Sequence, residues 1–220
     1  EYAGPRTDPL DADSDNDGLS DGREVESVGT NPNDSDTDND GLRDGSEVTA
    51  ALNTGYDRRP TDPLDKDSDD DGLGDNTEVR GTRVAQRVQT GPDRSVSIGM
   101  VRTDPNRADT DADGLRDGAE VRGLRVAQRV TLRDGRSYVI GTVRTNPLKK
   151  DTDGDGLRDK DEVTGARNQA FGRHKSDPTH WDTDRGGVGD GREVSAGSDP
   201  ADVTSGPQNP KMVAPRGTLS

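Results

Sequence analysis

One spacing of acidic residues recurs along this chain and limits what it can fold into more than any other feature. Counting the first acid as position 1, the pattern is D-x-D-x-D-G-x5-E, with a further Asp at position 9. The first copy is Asp13, Asp15, Asp17, Gly18, Asp21 and Glu24, and the second is Asp36, Asp38, Asp40, Gly41, Asp44 and Glu47. The third is Asp67, Asp69, Asp71, Gly72, Asp75 and Glu78, and the fourth is Asp109, Asp111, Asp113, Gly114, Asp117 and Glu120. The fifth is Asp151, Asp153, Asp155, Gly156, Asp159 and Glu162. A sixth, DTDRGGVGDGRE, keeps Asp182, Asp184, Asp190 and Glu193 but has Gly186 at position 5.

Carboxylates at alternate residues repel one another unless a hard cation gathers them. Calcium takes six to eight oxygens, and this is the spacing of a twelve-residue calcium loop. Asp at 1, 3 and 5 offers side-chain oxygens, and Gly at 6 accepts the positive φ that a sharp turn needs. Position 7 supplies a backbone carbonyl from Leu19, Leu42, Leu73, Leu115, Leu157 or Val188. Asp at 9 joins the shell of its own loop directly or through water, and Glu at 12 closes it. Six calcium ions are expected, the sixth held more weakly because Gly186 removes a carboxylate.

Composition agrees that something other than an apolar core orders the chain. Of 220 residues only 24% are hydrophobic, and the formal charge is −15. A chain this polar cannot offset the entropy of ordering by burial, and with no cysteine it cannot use disulfides. At the ~10⁻⁴–10⁻³ M affinities of extracellular sites, millimolar calcium would add roughly 1–2 kcal/mol per site. Six ions would move the charge from −15 to −3 (−15 + 12). The Val after each closing Glu (Val25, Val48, Val79, Val121, Val163, Val194) is expected to pack with the position-7 side chain as a miniature core.

A marker, TDP, TNP or SDP, precedes each loop, with its Pro four residues before position 1: Pro9, Pro32, Pro63, Pro105, Pro147 and Pro178. A seventh marker, Ser198–Pro200, has no loop pattern after it. Loop starts at 13, 36, 67, 109, 151 and 182 are 23, 31, 42, 42 and 31 residues apart. The differences are insertions between the closing Glu and the next marker, as expected of an array whose units touch mainly their neighbours. Two insertions, 49–60 and 164–175, place Asn53 and Tyr56 in register with Asn168 and Phe171. The array is taken as 1–202, and the stretch 203–220 as a linker or tail.

The two longest insertions, about 80–102 and 122–144, alternate like β-hairpins. Val126, Gln128, Val130 and Leu132 form one face, with Tyr138, Ile140 and Thr142 opposing them; Val84, Val88, Val96, Ile98 and Met100 are the earlier equivalents. Two strands alone are marginal, so each hairpin must rest on the calcium spine, on the other hairpin or on another chain. Both are basic, with five and six Arg against one Asp each.

An EF-hand pair needs a helix of about ten residues on each side of its loop, and the Pro before each loop and the short VESVG connection leave no room for one. The stretches TDPLDADSDNDGLSDGREV, TNPNDSDTDNDGLRDGSEV and TNPLKKDTDGDGLRDKDEV resemble the thrombospondin type 3 repeat, in its cysteine-free bacterial form. The resemblance runs from about residue 7 to 202. The expected fold is then mostly irregular calcium-loop repeats with short helical turns, an elongated array without a conventional hydrophobic core, into which two β-hairpins that the minimal repeat lacks are inserted. The resemblance also implies a secreted or cell-surface protein in which the repeats form a rigid stalk, spacer or fibre segment.

No catalytic constellation is visible: there is no Cys, only two His, and the acids are committed as ligands, so enzymatic activity is not expected. The alternatives are a calcium-dependent adhesive module, or a non-catalytic part of a larger secreted enzyme; the start at Glu1 reads as a processed chain or a fragment. Expected partners are calcium and, through the basic hairpins, other copies of the chain. Net acidity argues against nucleic acid, and no apolar run is long enough for membrane insertion. An acidic glycan has no specific support in the sequence.

Overall fold

The computed structural model describes residues 7–8 and 10–205. Regular structure is sparse and begins at the same place in every loop. Short helices run over Asp21–Arg23 (α1), Asp44–Val48 (α2), Asp75–Arg80 (α3), Asp117–Arg122 (α4), Asp159–Thr164 (α5) and Asp190–Ala196 (α6). Each starts at position 9, and the residue before it is extended where α1, α2, α3, α5 and α6 begin. Contacts divide the chain into two compact units. One comprises residues up to 83 with 100–110 and 116–118; the other comprises 84–99, 111–115 and 119 onward.

The loops turn as their glycines require. Position 6 has φ between 91° and 102° in all six (Gly18, Gly41, Gly72, Gly114, Gly156, Gly187). Position 4 is also left-handed in every loop, at Asn16, Asn39, Asp70, Ala112, Gly154 and Arg185. Asn, Asp and Gly tolerate that conformation, whereas Ala112 and Arg185 are held in it against their preference.

The position-7 side chains are buried throughout, Leu19, Leu42, Leu73, Leu115, Leu157 and Val188 each being 7% exposed or less. Their expected partners differ. Val25 is 44% exposed and the other five following valines are only half-buried. One residue along a helix is a turn of about 100°, and the closing Glu, not the Val, takes the inward direction. The miniature core is therefore the position-7 residue alone, packed among carboxylates.

Four strands, Thr82–Gly91 (β1), Arg94–Val101 (β2), Leu124–Thr131 (β3) and Ser137–Val143 (β4), form two separate two-stranded sheets, β1 with β2 and β3 with β4. The inward face holds Val84 and Val88 in one and Val126 and Val130 in the other, all at most 1% exposed. The return strands depart from the expected alternation. β3 and β4 pair with a bulge between Val126 and Arg129, so that Val126 faces Gly141, and Arg125 faces Thr142. The bulge turns Thr142 outward and brings Val143 in, with Gly141 at φ 93° and its counterpart Gly99 at φ 84°. By the same shift Val101 is buried while Met100 is 63% and Val96 40% exposed.

Within the second unit each hairpin rests on the repeat spine three loops further on. Gln89 donates its amide to the Thr179 carbonyl at 2.8 Å and accepts from the Trp181 amide at 3.0 Å. In register 42 residues later, the Thr131 amide donates to the Ala201 carbonyl at 2.8 Å. Gln86 and Gln128 repeat the relation, accepting the Arg144 and Lys175 amides through their side-chain oxygens. The expected tail at 203 starts later than the sequence suggests: Val203–Ser205 is a 3-10 turn with both ends buried, and 206–220 lie outside the described residues. Truncating Val130 to Ala should lower calcium-saturated stability by about 2 kcal/mol. The same change at half-exposed Val139 should cost under ~0.5 kcal/mol, both read by denaturant unfolding.

Candidate metal centres

The carboxylates at positions 1, 3 and 5 converge. Within Asp13, Asp15 and Asp17, within Asp36, Asp38 and Asp40, and within Asp67, Asp69 and Asp71, oxygens lie within 4.8 Å of one another. The closing glutamates are buried in all six loops, Glu24, Glu47, Glu78, Glu120, Glu162 and Glu193 being 2% exposed or less. Each keeps an Oε2 with no hydrogen-bond partner. Position 3 repeats this at Oδ2 of Asp15, Asp38, Asp69, Asp153 and Asp184. A buried carboxylate oxygen without a donor costs several kcal/mol; recurring at fixed positions, the orphans mark places for a cation. Hard oxygen donors with no sulfur or imidazole among them suit calcium or magnesium, and a flexible cage of this many carboxylates suits calcium better.

Position 5 joins one repeat to the next. Its Oδ1 accepts the position-7 amide of its own loop, as in Leu19 to Asp17 at 2.6 Å and Leu157 to Asp155 at 2.7 Å. Its Oδ2 accepts the position-10 amide of the following loop. The pairs are Gly45 to Asp17 at 2.7 Å, Asn76 to Asp40 at 2.9 Å and Gly118 to Asp71 at 2.7 Å, then Lys160 to Asp113 at 3.0 Å and Gly191 to Asp155 at 2.7 Å. Each amide lies in the first turn of a helix, where backbone donors lack an intrahelical partner, so the upstream carboxylate caps the downstream helix.

Position 9 is not confined to the shell of its own loop. Asp44 stands with Asp17 and Glu24 of the preceding loop, and Asp117 with Asp71 and Glu78, again within 4.8 Å. It is held there by a residue the sequence reading passed over. The Ser or Thr at position 2 (Ser14, Thr37, Ser68, Thr110, Thr152, Thr183) donates its amide to one oxygen of the position-9 Asp at 2.8–3.0 Å. Its hydroxyl donates to the other oxygen at 2.5–2.8 Å.

The markers act through the same hydroxyl. The Oγ at position 2 accepts the amide of the marker's middle residue, as from Asn31, Asp62, Asp104, Asn146 and Asp177 at 2.8–3.0 Å. The marker's leading Thr or Ser reaches back to the preceding glutamate. Thr30, Thr61, Thr145 and Ser176 donate to Oε1 of Glu24, Glu47, Glu120 and Glu162 at 2.8–3.1 Å. An invariant hydroxyl at both places was the available signal.

Loop six closes differently. A side chain at Gly186 would stand 2.8 Å from Asp184 Oδ1 and 3.3 Å from Val203. The seventh marker still folds like the rest, the Asp199 amide donating to Ser205 Oγ at 2.8 Å. Position-7 residues are placed by their amides; Val188 packs like the leucines. Insertions reach the marker two repeats on: Arg59 pairs with Asp104, and His174 Nδ1 with Asp199 at 2.6 Å.

Five segments, 13–35, 36–50, 109–122, 151–165 and 187–203, match the family described as the bacterial TSP3 repeat. The chain carries bacterial TSP3 repeats. The third loop, 67–78, lies outside the matched segments yet shares the hydrogen bonds of the others. No curated protein and no solved structure matches the chain. TSP3 repeats are calcium-binding modules, and the acidic clusters fit that chemistry.

Burial foremost, then neighbouring carboxylates, raises the acids inside these TSP3 loops. Glu24 is pushed up to about 7, Glu47 to about 8, and Glu78, Glu120 and Glu193 to about 9. Position 3 follows, with Asp38 and Asp69 at about 6 and Asp153 at about 10, and Glu162 rises well above the ordinary range. Each folded value lies above its unfolded one, so the calcium-free fold is favoured below pH 4.5 and loses that stability as pH rises through about 9. A bound cation replaces these protons, so calcium affinity should rise over the same interval and binding should release protons. Calorimetry in buffers of different ionisation enthalpy measures both; affinity independent of pH would contradict the burial. Thr152→Val should cost about 1–3 kcal/mol by stranding the Asn146 amide and an Asp159 oxygen. Native mass spectrometry should show the number of bound ions unchanged.

Proposed function

We propose that this chain is an extracellular, non-catalytic spacer whose fold is completed by about six calcium ions. The observation that carries this is the recurrence, loop after loop, of a buried Glu Oε2 without a donor, beside a carboxylate that also caps the next repeat. A cation there stabilises its own loop and the junction following it. Calcium therefore acts as a structural component rather than as a signal. The millimolar affinities of such sites suit a compartment rich in calcium. TSP3 repeats are typically extracellular, and among the described residues no helix is long and apolar enough to cross a membrane.

Each repeat is joined to the next by the same Asp-to-amide bond, and units linked in series in this way make a quasi-one-dimensional array, which is the property a stalk or spacer needs. A compact 220-residue chain would have a radius of gyration of about 17 Å. Small-angle scattering in millimolar calcium should give a monomer with a clearly larger value and high rigidity, and chelation should abolish both the order and the bound ions. A radius near the compact value would sink the spacer reading. An unchanged profile after chelation would sink the role of calcium.

A further inference from the structure

Some hairpin arginines bond to the repeats, as Arg133 does to the Gly186 carbonyl, but others make no ion pair. Among the described residues, Arg87, Arg94, Arg125 and Arg129 are exposed and form no ion pair. Calcium would neutralise much of the spine, from −15 to −3 overall (−15 + 12), and leave these guanidinium groups uncompensated. The tip of the first hairpin and the start of the sixth repeat border an open cleft of about 410 Å³, a volume in the range of small-molecule sites. Arg87 and Arg94 line it with Gln89, Asp93, Asp177 and Thr179. Arg87 is positioned by Ser95, whose Oγ accepts from Nε at 2.9 Å and from Nη2 at 2.6 Å. Among the described residues the Arg94 guanidinium makes no hydrogen bond or ion pair, whereas that of its counterpart Arg136 in the second hairpin is held by Asp134 at 2.5 Å.

The wall thus combines guanidinium donors for an anion with carboxylate, amide and hydroxyl groups that suit hydroxyl donors. A bare polyanion would meet Asp93, and a cluster of protein carboxylates would leave the acceptors unused. The His180 imidazole is the one aromatic side chain in the lining of the cleft, with no Phe, Tyr or Trp beside it to build a stacking platform for nucleobases. We infer that this cleft binds an acidic sugar residue of a polysaccharide, its carboxylate on Arg94 and Arg87 and its hydroxyls on Asp93 and Gln89. The fixed fork of Arg suits bidentate contact with a carboxylate.

The test uses the whole calcium-loaded chain and a hyaluronan oligosaccharide, which alternates glucuronate with N-acetylhexosamine. Its counterpart with carboxylates reduced to alcohols, polyglutamate, and a short single-stranded DNA serve as comparisons. The glucuronate oligosaccharide should bind best in calorimetry, Arg94→Gln should weaken it about tenfold or more, and Arg136→Gln should leave it within about twofold. Calcium binding and far-ultraviolet dichroism, measured on the same variants, separate loss of the sugar site from loss of the metal-dependent fold. Absence of binding by a folded, calcium-loaded chain overturns the inference. So does equal or tighter binding of polyglutamate or DNA, or retention of the reduced sugar.

Discussion

A carboxylate that serves two repeats at once is the interaction on which this structure depends. One oxygen of the position-5 Asp closes its own loop on the position-7 amide, and the other caps the first turn of the next helix. Capping normally comes from a side chain just before the helix. Here Ser20 does so for α1, whereas α2, α3, α5 and α6 start without a side-chain cap from the preceding residue. Folding of one loop therefore prepares the seat for the next, and a cation on that carboxylate is felt in both.

The rest of the repeat is a set of hydroxyl relays that hold acids in place without neutralising them. Residue 2 grips the position-9 Asp and accepts from the marker; the marker's first residue grips the previous Glu. These bonds orient oxygens but leave some with no donor, and burial raises the affected acids well above their ordinary range. Neutral hydroxyls can position like charges but cannot offset their repulsion.

Much of this was legible in the residues because coordination demands a spacing. Positions 1, 3, 5 and 12, the left-handed Gly at 6 and the two hairpins all follow from counting. The roles of Thr37 and Thr30 were visible as constant Ser or Thr, yet a hydroxyl is a weak ligand and suggests no partner by itself. The sharing of Asp44 and Asp117 with preceding loops depends on how repeats stack, which no single repeat contains. The bulge beside Val126 reversed Thr142 and Val143, since one extra residue flips a strand's faces. The resting place of Gln89 and Thr131 lies too far along the chain for any local pattern to indicate.

The junction between repeats is indifferent to what lies between its halves. The same Asp-to-amide bond spans 28 residues from Asp17 to Gly45, 36 from Asp40 to Asn76 and 47 from Asp71 to Gly118. Entropy of loop closure grows only slowly with length, so the intervening stretch can be a bare turn, a polar knot or a whole hairpin. The segment between each closing Glu and the next marker is in that sense a socket. It accepts new sequence, and with it new surface chemistry, while the scaffold that presents it keeps its geometry.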